Sequence, residues 1–296
     1  MVKQERSLVR ECPMCNSSRI AVEFVKAFKE HRWSLCRCRV CGLHFTDPRP
    51  TPAFLEQCYA GDYHAQLRAE GATERAFGTK FQRYKDWLIP HLPVGGRVLD
   101  IGCSTGLLVK MLSDQGFRAE GIELNSGSAE WGRKHYEITI HNEPIEECSF
   151  QPGSFDAIIL ADVLEHTLHP RDYLANAGNF LAPNGVILVT FPDIHSLESC
   201  YFFLMAKLTR RPWLWGNCQI PLHIWEFTRI TAINCFEGAG FNVIAFRRSH
   251  DARATGLPKL INLPSMLLDL PILAFRLGTQ MEFLIRRRVG KANARN

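Results

Sequence analysis

Residues 97–110, with the sequence RVLDIGCSTGLLVK, constrain the fold of this chain more than any other stretch. The first half is apolar and β-compatible, so we expect a buried strand with Asp100 at its end. Gly102 and Gly106 frame a tight turn, and the apolar residues that follow open a helix. Glycines let a backbone approach a ligand closely, and the free N–H groups of a helix start favour a carboxylate. Asp100 could hold an ammonium group, so the turn and Asp100 together suit a zwitterionic ligand that carries both a carboxylate and an ammonium.

The same turn has alternative interpretations. Residues 102–106 fit G-x-S-x-G, the strand-to-helix elbow of serine hydrolases, and Asp193 and His223 follow in the chain order of a triad. That interpretation leaves Asp100 without a role. The turn could also bind no ligand at all. The dinucleotide fingerprint G-x-G-x-x-G is not met, because Ser104 stands at its second glycine position.

A second acidic residue, Glu123, ends the next predicted strand, residues 116–124. A carboxylate in that place can accept hydrogen bonds from both hydroxyl groups of a ribose. Strands that alternate with helices predict an α/β fold with a doubly wound, mostly parallel, Rossmann-like sheet, whose ligand lies beyond the carboxyl ends of the strands. The further elements predicted are strands near 137–140, 155–160 and 186–191, a helix at 171–180 and a turn at 181–185.

Two C-x2-C knuckles near the N-terminus predict a metal site. Four thiolates at this spacing make a tetrahedral zinc site with no open position, so zinc there would be structural. Strand-like runs at 20–28 and 33–35 fit a zinc ribbon, and such a small unit would depend on the metal for stability. Cys36, His31 and His44 are nearby alternative ligands, and four reduced, unliganded cysteines remain the other interpretation. The knuckle residues are Cys12, Cys15, Cys38 and Cys41.

Together, several segments between residues 94 and 246 resemble the motifs of class I S-adenosylmethionine-dependent methyltransferases. They are DIGCSTG, the strand-end Glu123, SFDAIILADVLEH, LAPNGVILVTFP and EGAGFNV. The resemblance implies that the glycine turn holds the methionine part of the cofactor, that Glu123 binds the ribose, that residues 143–145 lie along the adenine and that Asp162 lies near the sulfonium. The residues implied to bind the cofactor are Asp100, Gly102, Cys103, Ser104, Gly106, Glu123, Leu124, Glu143, Ile145 and Asp162.

The N-terminal part extends the resemblance. CPMC, CGLHFTDPRP and the pair Tyr59 and Tyr63 are similar to a bacterial subgroup in which a zinc ribbon precedes the methyltransferase fold. That subgroup acts mostly in cell-envelope glycan and natural-product pathways, which implies a glycan, lipid-linked or secondary-metabolite acceptor. The expected organisation is a zinc ribbon (1–50), a proline-spaced connector and helical segment (51–92), a Rossmann-like methyltransferase domain (93–250) with an acceptor-site insertion (192–227), and a basic, apolar C-terminal tail (251–296).

Methyl transfer from a sulfonium is an in-line displacement, and a hydroxyl acceptor also needs a base. A histidine suits that role because its pKa lies near neutrality. His223 is the first candidate, in a segment that the subgroup shares, and His166 is the second because it directly follows the fourth strand. Either could instead satisfy a buried backbone group. Thr228 is expected to cap the next helix, and the aromatic residues at 201–205 and 213–215 form either a substrate lid or ordinary core.

The composition indicates the class of protein and the cellular compartment. A chain of 296 residues, 46% hydrophobic and 22% charged, is globular. Its eleven cysteines and an N-terminus without an apolar leader indicate the reducing cytoplasm. Residues 1–50 are only modestly basic, so nucleic acid is not an expected partner, although an RNA-base methyltransferase is one alternative. A protein that binds the cofactor without catalysis is another.

The C-terminal residues carry an excess of positive charge. Residues 247–296 contain ten Lys or Arg and three Asp or Glu. Residues 260–275 are apolar but too interrupted to span a bilayer. Residues 281–288, MEFLIRRR, are expected to form a helix, either packed with a solvated basic end or lying on an anionic membrane as a peripheral contact. A seventh strand is not visible in the sequence, so either this tail supplies it or the sheet is shorter.

Overall fold

The computed structural model describes residues 11–59, 65–209, 219–249 and 278–288. These residues form two β-sheets, one of seven strands and one of four. The strands in chain order are β1 Ile20–Phe28, β2 His31–Cys38, β3 His44–Asp47, β4 Arg97–Ile101, β5 Arg118–Ile122, β6 Thr139–His141, β7 Phe155–Ala161, β8 Leu181–Pro192, β9 Trp225–Glu226, β10 Phe241–Ser249 and β11 Gln280–Arg287. The helices are α1 Pro52–Tyr59, α2 Ala72–Leu88, α3 Leu107–Ser113, α4 Ser126–Tyr136, α5 Pro170–Asn179, α6 Leu197–Thr209 and α7 Arg229–Gly238.

The central sheet has the strand order β10-β11-β8-β7-β4-β5-β6. The strands from β8 to β6 pair in parallel, whereas β11 runs antiparallel to both of its neighbours. The order reverses direction along the chain at β4, which places a cleft beyond the carboxyl ends of β4 and β7. The predicted fold class, a mostly parallel, doubly wound α/β sheet, is confirmed.

Both faces of the central sheet are buried. On β4, Val98 packs in a cluster with Tyr84 of α2 and Leu108 of α3, whereas the adjacent Leu99 packs with a second cluster that includes Leu174 of α5. Successive residues of a strand point to opposite faces, so helices cover the sheet on both sides. α7 begins at the predicted cap, where the Thr228 hydroxyl accepts the N–H of the third helical residue at 3.2 Å.

The second sheet is antiparallel and has the order β1-β2-β3-β9. Its first three strands come from the N-terminal segment, but β9 lies just before α7, so the sheet joins the N-terminal segment to a segment that follows β8. Aromatic side chains of α6 pack on it, with the rings of Phe203 and Phe24 at 5.2 Å. In the described part of the aromatic insertion, Phe202 and Phe203 are partly buried against this sheet, whereas Tyr201 is 44% exposed. Residues 213–215 and Tyr63 lie outside the described residues.

Two predicted elements are wrong. Residues 181–185 are the first part of β8 rather than a turn, because Leu181 pairs with Phe155 across a register shift in β7. Residues 281–287 form β11 rather than a helix. Because β11 lies between β8 and β10 with both faces covered, residues 280–285 are all buried and apolar side chains fall on both faces, so the sequence shows no strand alternation. The tail therefore supplies the seventh strand, and residues 280–287 belong to the central sheet rather than to a separate tail.

One charged residue of the predicted C-terminal tail, Glu282 in β11, forms ion pairs inside the protein. Glu282 is fully buried and pairs with Arg83 of α2 at 2.9 Å and with Arg247 of β10 at 2.6 Å. A buried charge persists only when it is paired in this way. Among the described helices, none combines the length and the apolar character that a bilayer crossing requires. Residues 260–275 lie outside the described residues.

Candidate functional site

The glycine turn adopts a backbone that needs its glycines. Gly102, Ser104 and Gly106 have φ angles of +77°, +53° and +80°. A Cβ at Gly102 would lie 2.8 Å from a methyl group of Val163, and one at Gly106 would overlap the side chain of Ile138. Only glycine combines the positive φ with this close approach. The turn thus brings bare backbone to the carboxyl end of β4, directly before α3.

Two acidic side chains lie at neighbouring strand ends beside this turn. Asp100 is in β4, and Glu123 follows the end of β5, which pairs in parallel with β4. The carboxylate of Glu123 accepts the backbone N–H groups of Ser104 at 2.8 Å and Asn125 at 2.7 Å. These hydrogen bonds fix the carboxylate against the turn. The two predicted acids and the predicted glycines therefore meet at one place.

Burial makes this acidic pair electrostatically costly. Removal of Asp100 from water, with the nearby charge of Glu123, raises the pKa of Asp100 to about 8. Burial also raises the pKa of Glu123 above its ordinary value, although its N–H donors oppose the shift. A positive group placed beside Asp100 would remove this penalty. The Ser104 hydroxyl, also buried, has no hydrogen-bond partner among the described residues, so the turn could hold a ligand that carries an ammonium and further polar groups.

Of the other predicted cofactor residues, some lie at the surface near the end of β5 and others are buried in the core. Leu124 is 64% exposed, and the side-chain amide of Asn142 donates to the carbonyls of Glu123 and Leu124 at 2.7 and 3.0 Å. This contact places the segment that contains Glu143 beside the end of β5. Ile145 is buried in the main core and Cys103 in a smaller cluster next to α3 and α4. The Cys103 thiol therefore faces protein, and its contribution to a ligand would come from its backbone.

Asp162 already has a cationic partner. Its carboxylate lies 2.6 Å from the ammonium of Lys80 on α2, accepts a hydrogen bond from Thr190 at 3.3 Å and contacts Gln280 of β11. Burial would raise the pKa of Asp162, but Lys80 and the hydrogen bonds hold it below its ordinary value. Sequence reasoning missed Lys80 and Gln280, which are 82 and 118 positions from Asp162 and belong to no local motif.

The two predicted histidines lie together, with ring centroids 4.8 Å apart. His223 Nδ1 is 3.0 Å from a carboxylate oxygen of Glu226, and both residues are buried. His166 Nδ1 lies 3.0 Å from the carbonyl of Leu222 and 3.0 Å from the Tyr59 hydroxyl. Sequence reasoning missed Glu226, although its spacing of three residues from His223 was visible.

A second missed acid, Glu165, faces this pair. A carboxylate oxygen of Glu165 and one ring nitrogen each of His166 and His223 lie within 4.8 Å of one another. Neither carboxylate oxygen of Glu165 has a hydrogen-bond partner among the described residues, and burial together with Asp162 raises its pKa to about 8. Burial lowers the pKa of His223, but the carboxylates of Glu226, Glu165 and Asp162 outweigh this and raise it. The site therefore favours proton uptake by His223.

The serine hydrolase alternative is wrong. The carboxylate of Asp193 pairs with Arg248 at 2.5 Å and accepts the backbone N–H of His195 at 2.9 Å. The carboxylate beside His223 belongs to Glu226. A triad needs its acid on the histidine, and Asp193 does not supply it.

The four knuckle cysteines converge on one point. Their Sγ atoms all lie within 4.8 Å of one another, with Cys12 3.6 Å from Cys41 and Cys15 3.6 Å from Cys38. Sulfurs bound tetrahedrally at 2.3 Å from zinc would be about 3.8 Å apart. The N–H groups of the residues two positions after Cys12 and Cys38 point to their sulfurs at 3.4 Å. The donor set fits a zinc ion, and neither Cys36 nor His44 belongs to it.

Comparison with known proteins gives a consistent picture. A family model described as a methyltransferase domain matches residues 70–245. The ubiquinone biosynthesis O-methyltransferase of Nitrosococcus oceani is 30% identical over 115 residues, which cover 37% of this chain and 48% of that protein. The chain thus spans about half the length of the curated relatives it matches.

Solved structures share the fold at low sequence identity. The [4+2]-cyclase SpnF has a TM-score of 0.56 and 15% identity, and the match covers 82% of this chain and 99% of that one. The 1,6-didemethyltoxoflavin-N1-methyltransferase of Burkholderia thailandensis, solved with S-adenosylhomocysteine, has a TM-score of 0.50 and 14% identity over 89% of this chain and 98% of that one. A cyclase and a methyltransferase share this architecture, so the chemistry must be argued from the site.

Proposed function

The chain belongs to the methyltransferase-domain family, and from this premise we propose that it transfers a methyl group from S-adenosylmethionine to an oxygen atom of a small organic acceptor. The observation that carries the proposal is the pair Asp100 and Glu123 at neighbouring strand ends beside the glycine turn. This arrangement suits a ligand with an ammonium, a carboxylate and a ribose. A pyrophosphate would gain nothing from two buried acids.

In this proposal each part of the cofactor has a partner. The ammonium binds Asp100, the carboxylate meets the N–H groups of the turn formed by Gly102, Ser104 and Gly106, and the ribose hydroxyls donate to Glu123. The adenine lies along exposed Leu124 and the segment of Glu143 and Ile145. Asp162, held by Lys80, lies near the sulfonium end. When bound, the cofactor supplies an electrophilic methyl group.

The protein contributes alignment and a base. The acceptor oxygen attacks the methyl carbon in line with the departing sulfur, so much of the acceleration comes from holding these atoms in place. His223 takes the proton from the acceptor hydroxyl, because its pKa is raised by neighbouring carboxylates although it is buried. His166, with Nδ1 beside a backbone carbonyl, is the second candidate for the base.

For the acceptor, we propose a hydroxyl group on a glycan, a lipid-linked molecule or a secondary metabolite. The similarity of 37% of the chain to an O-methyltransferase of ubiquinone biosynthesis supports transfer to oxygen on a small molecule. The structural neighbour that acts on nitrogen is far less similar in sequence. Assay of purified quinol, sugar and polyketide hydroxyl compounds with labelled cofactor would separate these classes.

We propose that the four cysteines bind one structural zinc ion. The chelate would tie the segment before β1 to the end of β2, and the free energy of metal binding would add to the stability of the N-terminal sheet. With four thiolates the ion keeps no position for substrate. Its role would be to hold β1, β2 and β3 in place against the rest of the molecule.

Calorimetric titration with S-adenosylhomocysteine tests the cofactor site. We expect a dissociation constant in the micromolar range, about −8 kcal/mol, and a loss of at least tenfold in affinity for Asp100→Ala and for Glu123→Ala. Glu130→Ala, which changes an exposed acid on α4, is the matched control and should bind normally. Absence of binding by folded, zinc-loaded protein would refute the proposal.

A further inference from the structure

His223 contacts a buried carboxylate through its ring nitrogen Nδ1. Glu226 lies three residues along the chain, and its Oε1 is 3.0 Å from His223 Nδ1. The exposed fractions of the two side chains are 4% and 2%. Water therefore does not compete for this hydrogen bond, and the two groups are locked in one geometry.

This contact determines which ring nitrogen carries the proton. A carboxylate can only accept a hydrogen bond, so His223 Nδ1 must donate. In the neutral ring the lone pair is then on Nε2, the nitrogen on the other side of the ring from Glu226. Two further side chains lie near the His223 ring nitrogens, His166 and Glu165, and the oxygens of Glu165 have no hydrogen-bond partner among the described residues.

The N-terminal sheet fixes the backbone of this segment. Glu226 is in β9, where it pairs with His44 of β3. The Thr46 hydroxyl of β3 donates to the carbonyl of His223 at 2.7 Å, and its N–H donates to the carbonyl of Ile224 at 2.9 Å. The N–H of Ile224 in turn donates to the carbonyl of Glu165 at 2.8 Å. The segment is thus clamped between the cysteine-bearing sheet and the turn after β7.

We propose that Glu226 is a positioning residue of the methyl-transfer site, which keeps the proton of neutral His223 on Nδ1 and leaves Nε2 as the base. The proposal rests on the proposed function, because it assumes that His223 receives the acceptor proton. It also gives the N-terminal sheet a specific task, since β3 holds the strand that carries Glu226.

The proton balance is simple. The acceptor O–H bond breaks as its oxygen bonds to the methyl carbon, and the carbon–sulfur bond breaks with its electron pair left on sulfur. The proton goes to His223 Nε2, and the resulting imidazolium lies beside the Glu226 carboxylate. The products are the methyl ether, S-adenosylhomocysteine and a protonated His223, which then releases its proton to solvent.

Histidine side-chain nuclear magnetic resonance of the holoprotein, loaded with zinc and S-adenosylhomocysteine, tests the proposal without an acceptor. The His223 signals are assigned by their loss in His223→Asn. The neutral ring should show a protonated Nδ1, and Glu226→Gln should lower the pKa of His223 by about 1 to 3 units. The titratable groups that face the ring are Glu226, Glu165, His166 and Asp162, so the titration of His223 is followed over the same pH range in every variant.

Controls separate a positioning effect from a general disturbance. Glu226→Asp retains the charge and should keep the pKa of His223 high, and Glu237→Gln on the exposed side of α7 should leave it unchanged. Three outcomes would overturn the proposal. The neutral His223 ring could carry its proton on Nε2, or the pKa of His223 could be unchanged in Glu226→Gln. The third outcome is that His223 does not titrate because a divalent cation occupies Nε2. If the wild-type protein does not bind S-adenosylhomocysteine, the proposed function itself is contradicted.

Discussion

Asp100→Asn should stabilise the free protein and should abolish binding at the proposed cofactor site. Asp100 is 4% exposed, and burial and Glu123 raise its pKa from 3.8 to about 8. The unfolded chain ionises this group near pH 4, but the folded chain keeps it protonated until about pH 8. The folded state is therefore penalised progressively as the pH rises from about 4 to about 8, and the penalty is constant above that range.

The size of the effect follows from linkage. With these two pKa values, the penalty is about 2 kcal/mol at pH 5 and about 4 kcal/mol at pH 7, as upper estimates. Asparagine cannot ionise, so Asp100→Asn removes the penalty, but a buried amide without full hydrogen bonding costs about 1–3 kcal/mol. The amide cost does not depend on pH. The gain of the variant over wild type should therefore grow by about 2–3 kcal/mol between pH 5 and pH 7.

Urea unfolding of both proteins at pH 5, 7 and 8.5, without cofactor, measures this difference. The linear extrapolation gives each free energy of unfolding, and equal slopes would show that the unfolded states are comparable. S-Adenosylhomocysteine should stabilise wild type but not the variant. A difference between the two proteins that stays constant over this pH range would show that Asp100 is not a buried acid with a raised pKa, and would refute the reasoning.

Three further perturbations have defined outcomes. Glu282→Gln leaves two arginines facing a neutral buried amide and should lower the free energy of unfolding by about 3–5 kcal/mol, measured in urea; a change below about 1 kcal/mol would contradict this. Gly102→Ala combines a positive φ with a clash at Val163, so thermal unfolding should shift downward and S-adenosylhomocysteine binding should be lost. A zinc chelator should lower the melting temperature of wild type, whereas Cys15→Ser should start low and respond little.

The parts of the fold that the sequence predicts are those built from local patterns. The strand, glycine turn and helix around Asp100 are contiguous, so periodicity and turn chemistry locate them directly. Glu123 could be placed because neighbouring parallel strands end at the same edge of the sheet. The four cysteines could be grouped because the spacing within each knuckle is short and specific.

The parts that could not be predicted depend on contacts between distant residues. Strand β11 has no alternation because both of its faces are buried, and its two terminal arginines, followed by Arg288, are typical of a solvated helix end. Lys80 reaches Asp162 from a helix that no motif marks. Glu226 becomes informative only when β9 is seen to pair with β3 and to place a carboxylate behind His223.

The interior position of β11 has a consequence for biosynthesis. Strand β8 is made almost a hundred residues before β11, yet its free edge is covered only when residues 280–287 are added. Until residues 280–287 have left the ribosome, the nascent sheet presents an apolar, unpaired edge at β8, which is a template for association with other chains. Proteins shortened before residue 280 should therefore accumulate in inclusion bodies, and a chaperone that shields strand edges should raise the yield of the full chain.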